Sequence, residues 1–165
     1  MENKILVIGS PGSGKSYFSK KLSKLTNIPV YHMDLLYWHE NWVSTPRDEF
    51  DKIINEILNK DEWILDGNYN RTLENRVKFA QIVYFLDLDP EICLIAEKER
   101  RNKKRDDFPS FLNEGEDPSF VQYIKDFPII NKPLILEILK KYPHVKLIIF
   151  KTREEINEFL KSLES

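Results

Sequence analysis

The chain has 165 residues, which is the size of one domain and is large enough to bury a two-sided sheet. Hydrophobic residues make up 41% of the sequence and charged residues 32%, as in a soluble globular protein. The net charge of −2 gives the chain no overall electrostatic attraction to nucleic acid or to an anionic membrane, so any anion site must be local.

The predicted elements alternate between strands and helices. Short apolar runs predict strands at 4–8, 28–32, 63–65, 81–86 and 145–150. Apolar residues at helical spacing predict helices at 17–25, 71–79, 119–127, 133–142 and 154–163, and further helices that begin at Pro46 and Pro90. Because most strands are apolar nearly throughout, we predict a single three-layer α/β domain over residues 1–165, with about five parallel strands covered on both faces.

Composition also bears on compartment and membrane association. No apolar run approaches the roughly 18 residues that a membrane helix needs, and we expect no signal peptide ahead of the first strand. The single cysteine, Cys93, excludes internal disulfides and is compatible with a reducing cytoplasm. It lies in a predicted helix, where a buried small side chain is more common than a reactive thiol. We therefore expect a cytoplasmic protein, whose oligomeric state the sequence does not predict.

The turn after the first predicted strand carries the strongest motif of the chain. Residues 9–16 fit the pattern G-x-x-x-x-G-K-[ST] of the P-loop, in which backbone N–H groups surround the phosphates of a nucleoside triphosphate. The strand before it and the helix after it are the context that this motif requires. The motif predicts a nucleotide site formed by Gly9, Ser10, Pro11, Gly12, Ser13, Gly14, Lys15 and Ser16.

Each residue type in this motif has a chemical role. Gly9, Gly12 and Gly14 allow positive φ angles and a close approach of the backbone to the anion. Lys15 is placed to reach the β and γ phosphates, and the Ser16 hydroxyl is placed to bind Mg²⁺. We predict ATP rather than GTP as the nucleotide, because the sequence has no Asn/Thr-Lys-x-Asp guanine motif.

Two acids follow predicted strands and are candidates for metal binding and catalysis. Ligands of parallel α/β sheets bind at the carboxyl ends of the strands, which is where Asp34 and Asp66 are expected. Asp34 could hold Mg²⁺ through water or take the proton of an acceptor hydroxyl, and Asp66 is a second candidate for Mg²⁺ or the acceptor. Either acid could instead be an ordinary turn or cap residue.

An unusually aromatic stretch follows the second predicted strand. Tyr37, Trp38 and Trp42 could line a pocket for a flat or apolar acceptor, or they could cover the core.

Farther along, six of the eight residues from 98 to 105 are basic, and residues 106–118 have no clear period, which predicts a mobile loop. A basic run of this kind is usually a solvated helix face.

The order of these motifs resembles the P-loop kinases of the adenylate and shikimate kinase type. The segment from Trp63 through Asp66, Gly67 and Arg71 to Thr72 is similar to the adenylate kinase signature that ends in an arginine binding substrate phosphates. Residues 85–91, followed by Arg100 and Arg101, resemble the strand and helix that lead into the mobile lid of that family.

A narrower resemblance is to the small adenylate-kinase-like proteins called DNA topology modulation proteins. It rests on the aromatic run 31–38, the segment 41–43, the run 66–69 and the late Phe127-Pro128 pair. It implies an ATP-binding, kinase-like fold and does not establish a reaction.

The resemblance implies roles for individual residues. Lys15, Asp34, Arg100 and Arg105 would be catalytic, and Arg101 would contact ATP from a lid at about 100–118. The acceptor would lie among Asp34, Trp38, Asp66, Gly67 and Arg71, and Mg²⁺ among Ser16, Asp34 and Asp66.

We therefore hypothesise a small-molecule kinase that uses MgATP. Its acceptor would be a nucleotide, a nucleoside or a hydroxy metabolite, and the sequence does not identify which. One alternative is an ATP-dependent regulator or nucleic-acid binder, which only the basic run supports. Another is a nucleotide-binding protein that has lost catalysis, since Ala96 stands where related proteins carry an arginine and Asn70 precedes Arg71 where adenylate kinases carry proline.

Overall fold

The computed structural model describes residues 2–100 and 118–164. Its strands are β1 (Lys4–Gly9), β2 (Val30–His32), β3 (Trp38–His39), β4 (Val43–Ser44), β5 (Trp63–Asp66), β6 (Ile82–Leu86) and β7 (Lys146–Phe150). Its helices are α1 (Lys15–Thr26), α2 (Met33–Tyr37), α3 (Arg47–Leu58), α4 (Asn70–Phe79), α5 (Pro90–Arg100), α6 (Pro118–Asp126), α7 (Lys132–Lys140) and α8 (Arg153–Ser162).

Five parallel strands form the central sheet, in the order β2-β5-β1-β6-β7. The predicted α/β architecture with a parallel sheet is confirmed. In the register of the sheet, Val7 of β1 lies opposite Asp66 of β5, and Gly9 lies opposite Leu86 of β6. The end of β1 therefore lies beside the end of β5, at the edge where ligands of parallel sheets bind.

Both faces of the sheet are buried under helices. Side chains of a strand alternate between the two faces, so Leu6 and Ile8 of β1 belong to one hydrophobic cluster while Ile5 and Val7 belong to the other. The first cluster includes residues of α3, α4 and α7, and the second includes residues of α1 and α8. This two-sided burial explains the nearly continuous apolar runs of the strands.

The segment between β2 and α3 contains local structure that the sequence analysis did not predict. Helix α2 follows β2 directly, and β3 pairs with β4 as a short antiparallel hairpin. Thr45 closes this segment, because its buried hydroxyl donates to the carbonyls of Leu36 and Tyr37 at 2.8 and 3.0 Å. Asn41 and Trp42 at the tip have positive φ angles of 60° and 58°. The hairpin therefore holds the aromatic stretch in a fixed position beside α2.

Helices α6 and α7 are joined by a π-helical turn, Phe127–Asn131. Pro128 lies in this turn and has no N–H to donate, which interrupts the regular hydrogen-bond ladder of the helix. The two predicted helices in this region are confirmed, and the turn between them is an addition. Over the ranges that the structure describes, no helix is both long enough and apolar enough to cross a membrane.

The central position of β1 leads to a prediction about stability. Leu6 is fully buried in the sheet, whereas Leu134 on α7 is 50% exposed. We expect Leu6→Ala to lower the free energy of unfolding by about 2–5 kcal/mol, because it leaves a cavity in the core. The matched Leu134→Ala change should alter it by less than about 0.5 kcal/mol. Urea denaturation measures both, and equal effects of the two changes would contradict the assigned core.

Candidate functional site

The loop between β1 and α1 has the geometry of an anion-binding cradle. Gly12 and Gly14 have φ angles of 82° and 93°. A Cβ at Gly12 would lie 2.2 Å from the carbonyl oxygen of Cys93 on α5, so only glycine fits at this position. Gly14 is the N-cap of α1 and supplies no side-chain cap. The helix dipole of α1 therefore points its positive end into the loop, where it favours a phosphate.

A second feature of the loop also fits a polar ligand. The Ser13 hydroxyl is buried and has no hydrogen-bond partner among the described residues. Buried hydroxyls normally have partners, and the exceptions are common at functional sites. The Ser13 hydroxyl and the positive end of the α1 dipole thus make the loop suitable for the phosphates of a nucleotide.

Lys15 lies in the loop with its ammonium group held by the backbone. Its Nζ donates to the carbonyls of Gly9 at 2.9 Å and Ser10 at 3.2 Å. Burial lowers the pKa of Lys15, while the negative charges of Asp34 and Asp66 act in the opposite direction. The predicted lysine and the two predicted acids are therefore close enough to interact electrostatically.

Asp66 is held at the end of β5 by residues of two neighbouring elements. This carboxylate is only 5% exposed. Its Oδ2 atom accepts a hydrogen bond of 2.5 Å from the Ser19 hydroxyl of α1 and lies 2.5 Å from Nδ1 of His32. Ser19 is one helical turn after Ser16, so the two serines share a face of α1. Asp66 is thereby fixed next to the P-loop helix.

Asp34 lies in the first turn of α2 and is hydrogen-bonded to Tyr69. The Tyr69 hydroxyl donates to Oδ1 of Asp34. Burial and the charge of Asp34 raise the pKa of Tyr69 far above its usual value, so the phenol keeps its proton and donates. Asp34 is therefore oriented by a neutral donor.

The loop after Asp66 is tied to the P-loop by a residue that the sequence analysis did not single out. The amide of Asn68 binds both polar atoms of Gly9: its Oδ1 accepts from the Gly9 N–H at 3.1 Å, and its Nδ2 donates to the Gly9 carbonyl at 2.6 Å. Gly67 packs against Met33, where a Cβ would lie 2.8 Å from the Met33 Cβ. The loop therefore fits closely between the P-loop and α2.

A buried arginine, Arg76, also holds the loop of residues 67–69, and it was not predicted from the sequence. Arg76 of α4 is 0% exposed and donates to the carbonyls of the loop at Gly67, Asn68 and Tyr69 and to the Thr72 hydroxyl. Burial lowers the pKa of Arg76 to about 9, so the guanidinium is still charged at neutral pH. These bonds stabilise a loop in which Tyr69 has an unfavourable φ angle of 34°.

Aromatic rings surround the Asp34 side of the site. Tyr37 is the centre of this cluster, with ring centroids 4.8 Å from Trp38, 5.0 Å from Phe50 and 5.0 Å from Tyr69. Trp42 extends the cluster outward, 5.2 Å from Trp38, and is 43% exposed. The cluster packs partly on the core and partly faces solvent, and its role in binding an acceptor stays a prediction.

The predicted arginines have different positions. Arg71 forms a bidentate ion pair with Asp51 of α3, and both side chains are exposed. Arg100 pairs with the buried Glu97 and lies near enough to Lys15 to disfavour its charge. Arg101 and Arg105, with most of the predicted lid, lie outside the described residues.

One further arginine contacts the P-loop. Arg153, at the start of α8, donates from Nη2 to the Gly12 carbonyl at 3.1 Å. Sequence analysis could have found this residue only from its place after the last strand, since no motif marks it.

The described residues also bear on metal binding. No group of three or more His, Cys, Asp or Glu side chains in residues 2–100 and 118–164 is arranged to hold a metal ion. Mg²⁺ needs no such group, because it keeps several waters and is bound by one or two carboxylates and by phosphates. The assignment of Ser16, Asp34 and Asp66 to Mg²⁺ therefore stays a prediction.

Comparison with known proteins gives partial relatives and a shared fold. The chain is 30% identical over 95 residues to the adenylate kinases of Thermotoga petrophila and Thermotoga maritima, which covers 56% of this chain and 42% of each relative. The chain thus aligns with less than half the length of these curated relatives. No protein-family profile matches the sequence.

Solved shikimate kinases share the whole architecture. The shikimate kinase of Acinetobacter baumannii, in complex with shikimate, superposes with a TM-score of 0.63 at 16% identity, over 98% of this chain and 92% of that one. The shikimate kinase of Bacteroides thetaiotaomicron gives a TM-score of 0.63 at 14% identity, over 99% and 97% of the two chains. The chain therefore has the fold of the shikimate-kinase-like P-loop proteins.

The contact between Gly12 and α5 gives a test of the cradle. We expect Gly12→Ala to weaken MgADP binding at least about tenfold, because the new Cβ collides with the Cys93 carbonyl and the residue must keep a positive φ. Calorimetric titration measures the affinity. Exposed Ser44→Ala, in the hairpin, is the control and should leave affinity unchanged. Unchanged binding by Gly12→Ala would contradict the assigned loop geometry.

Proposed function

We propose that this protein is a phosphotransferase that moves the γ-phosphoryl group of MgATP to a hydroxyl group of a small molecule. The observation that carries the proposal is the juxtaposition of Lys15 with Asp34 and Asp66 at one edge of the sheet. A lysine-bearing anion cradle next to two fixed carboxylates is what phosphoryl transfer requires: a site for the charged donor and a site for the metal and acceptor. The fold shared with shikimate kinases and the partial similarity to adenylate kinases support it.

In this proposal the nucleotide binds at the P-loop. The amides at the start of α1 and the Lys15 ammonium bind its phosphates. Ser16, Asp34 and Asp66 are the residues that would hold Mg²⁺, directly or through water. When bound, Mg²⁺ neutralises charge on the β and γ phosphates.

The transfer step needs one base and an in-line arrangement. The acceptor oxygen forms a bond to the γ-phosphorus while the bond from that phosphorus to the bridging oxygen of ADP breaks. Asp34 accepts the proton of the acceptor hydroxyl, and Tyr69 orients the carboxylate through its hydrogen bond. The lysine stabilises negative charge on the phosphates during the step.

The acceptor site lies beside the aromatic cluster. Trp38 and Trp42, with Tyr37 behind them, offer ring faces and edges to a flat or apolar part of the acceptor. Arg71 is the candidate for an anionic group on the acceptor, although such a group must compete with Asp51 for it. The proposal therefore specifies a hydroxyl acceptor and leaves its identity to experiment.

Three arginines complete the proposed site. Arg100 is near Lys15 in the described part of the chain, and Arg101 and Arg105 follow it in the sequence. We propose that they close over the transferring group and exclude water, as the resemblance to the kinase lid implies. A cytoplasmic location remains part of the proposal, on the basis of the single cysteine and the ATP substrate.

Only the basic run at 98–105 favours a regulatory or DNA-associated role, and most of that run lies outside the described residues. The narrower resemblance to the DNA topology modulation proteins remains a prediction, because the relatives reported above are adenylate and shikimate kinases. The net charge of −2 still argues against an extended nucleic-acid surface.

The proposal predicts a separation of binding from transfer. We expect Asp34→Asn to bind ADP in the absence of Mg²⁺ within about twofold of the unsubstituted protein but to lower acceptor-dependent ADP release by about 10²–10⁴-fold, since the base is lost and the P-loop is intact. Panels of nucleosides, nucleotides and hydroxy metabolites supply the acceptor. Asp61→Asn, which changes an exposed acid away from the site, is the matched control and should keep full activity.

Two results would contradict this function. The first is MgADP binding without acceptor-dependent ADP release on any panel, which would leave a nucleotide-binding protein that lacks catalysis. The second is full transfer activity in Asp34→Asn, which would contradict the role of Asp34 as the base.

A further inference from the structure

The Gly9 carbonyl accepts two side-chain donors, and these donors belong to different parts of the site. Lys15 Nζ lies 2.9 Å from it and Asn68 Nδ2 lies 2.6 Å from it. A carbonyl oxygen has two lone pairs, so both donors can bind at once. One donor is the lysine that is expected to move to a phosphate, and the other belongs to the loop beside the acceptor site.

The two donors differ in how freely they can leave. Lys15 has a long side chain with three donors on a rotating ammonium group, and phosphates attract it. Asn68 is fixed from two sides, because its Oδ1 accepts from the Gly9 N–H and Arg76 holds the backbone carbonyl of Asn68 itself. Asn68 is therefore expected to stay in place when Lys15 moves.

We propose that Asn68 is a positioning residue that keeps the Gly9 carbonyl hydrogen-bonded when Lys15 transfers from that carbonyl to the nucleotide phosphates. This inference rests on the proposed function, since it requires a phosphate in the P-loop. Asn68 contacts neither the nucleotide nor the acceptor in the proposal and acts through Gly9. It lowers the free energy needed to release Lys15, because a carbonyl that loses every donor in a buried place is strongly destabilised.

The same residue joins the two halves of the site. Asn68 lies between Asp66, which is bound to α1, and Tyr69, which donates to Asp34. Its two hydrogen bonds to Gly9 fix the distance between the P-loop and Asp34, the proposed base. The Asn68 amide would thus have two effects. It allows Lys15 to leave the Gly9 carbonyl, and it keeps Asp34 and Asp66 at a fixed distance from the P-loop.

A double-mutant cycle tests the first effect. In the protein that keeps Lys15, Asn68→Ala should weaken MgADP binding about tenfold, because the Gly9 carbonyl then loses its donor on nucleotide binding. In Lys15→Met, the carbonyl has no lysine to lose, so adding Asn68→Ala should change the affinity by less than about twofold. The lost bond to the Gly9 N–H is missing in both the free and the bound protein and cancels from the affinity.

The matched control is Asn75→Ala, which removes another asparagine side-chain amide that does not contact Gly9. Asn75 of α4 donates to Asn55 at 2.9 Å, away from Gly9. Asn75→Ala should leave MgADP affinity unchanged with or without Lys15. Thermal unfolding shows whether each variant is folded, and Asn68→Ser, whose hydroxyl is too short to span both atoms of Gly9, takes the place of Asn68→Ala if that variant is unfolded.

The outcomes separate this proposal from the proposed function. Loss that depends on Lys15 supports the role of Asn68. If Asn68→Ala lowers MgADP affinity equally with Lys15 and with Met at that position, or lowers it in neither case, the role of Asn68 is overturned. The proposed function is not contradicted by either result. If the unsubstituted protein binds no MgADP, the proposed function is contradicted, and the role of Asn68 with it.

Discussion

Parallel pairing of β1 with β5 is the constraint on which the site depends. In a parallel sheet the carboxyl ends of neighbouring strands emerge at the same edge, so the turn after β1 and the turn after β5 must lie side by side. Lys15 follows the first of these turns, at the start of α1, and Asp66 is the last residue of β5, just before the second. Lys15 and Asp66 are far apart in the sequence but close in the fold, because Val7 of β1 pairs with Asp66 of β5. The buried apolar side chains of both strands hold this register by packing on two faces.

The polar contacts of the site then follow from this placement. Ser19 and His32 hold Asp66 from the helix and strand on either side of it. Tyr69 donates a hydrogen bond to Asp34. Arg76 donates to the backbone carbonyls of Gly67 and Tyr69, in the loop that follows Asp66. A buried guanidinium with carbonyl partners satisfies several acceptors at once, which stabilises an irregular loop that has no strand or helix of its own. The result is a site whose acids are fixed before any ligand binds.

The fold and the P-loop could be predicted from the sequence because their signals are local. A strand needs only its own apolar run, and the cradle needs only the glycines and lysine of residues 9–16. Asp34 and Asp66 could be proposed because they follow strands. Their partnership with Tyr69 and His32, by contrast, depends on how β2 and β5 pair, which a single sequence does not contain.

Asn68 and Arg76 show why the rest of the site escaped prediction. Asn68 meets Gly9 across 59 positions of sequence, and asparagine after Asp-Gly looks like an ordinary turn residue. Arg76 lies on a helix with other polar residues, where arginine is usually exposed. Its burial follows from the fit of α4 against the loop. The hairpin after β2 was missed for a similar reason, since strands of two residues leave no period to detect.

A crystal structure with Mg²⁺ and a non-hydrolysable ATP analogue would test the proposed nucleotide site most directly. We expect Lys15 Nζ to leave the Gly9 carbonyl and bind the β and γ phosphates. We also expect Mg²⁺ to lie beside Ser16 with Asp34 and Asp66 nearby, and Asn68 to remain hydrogen-bonded to Gly9. A nucleotide bound away from the loop of residues 9–16, or one that leaves Lys15 on the Gly9 carbonyl, would contradict the proposed site.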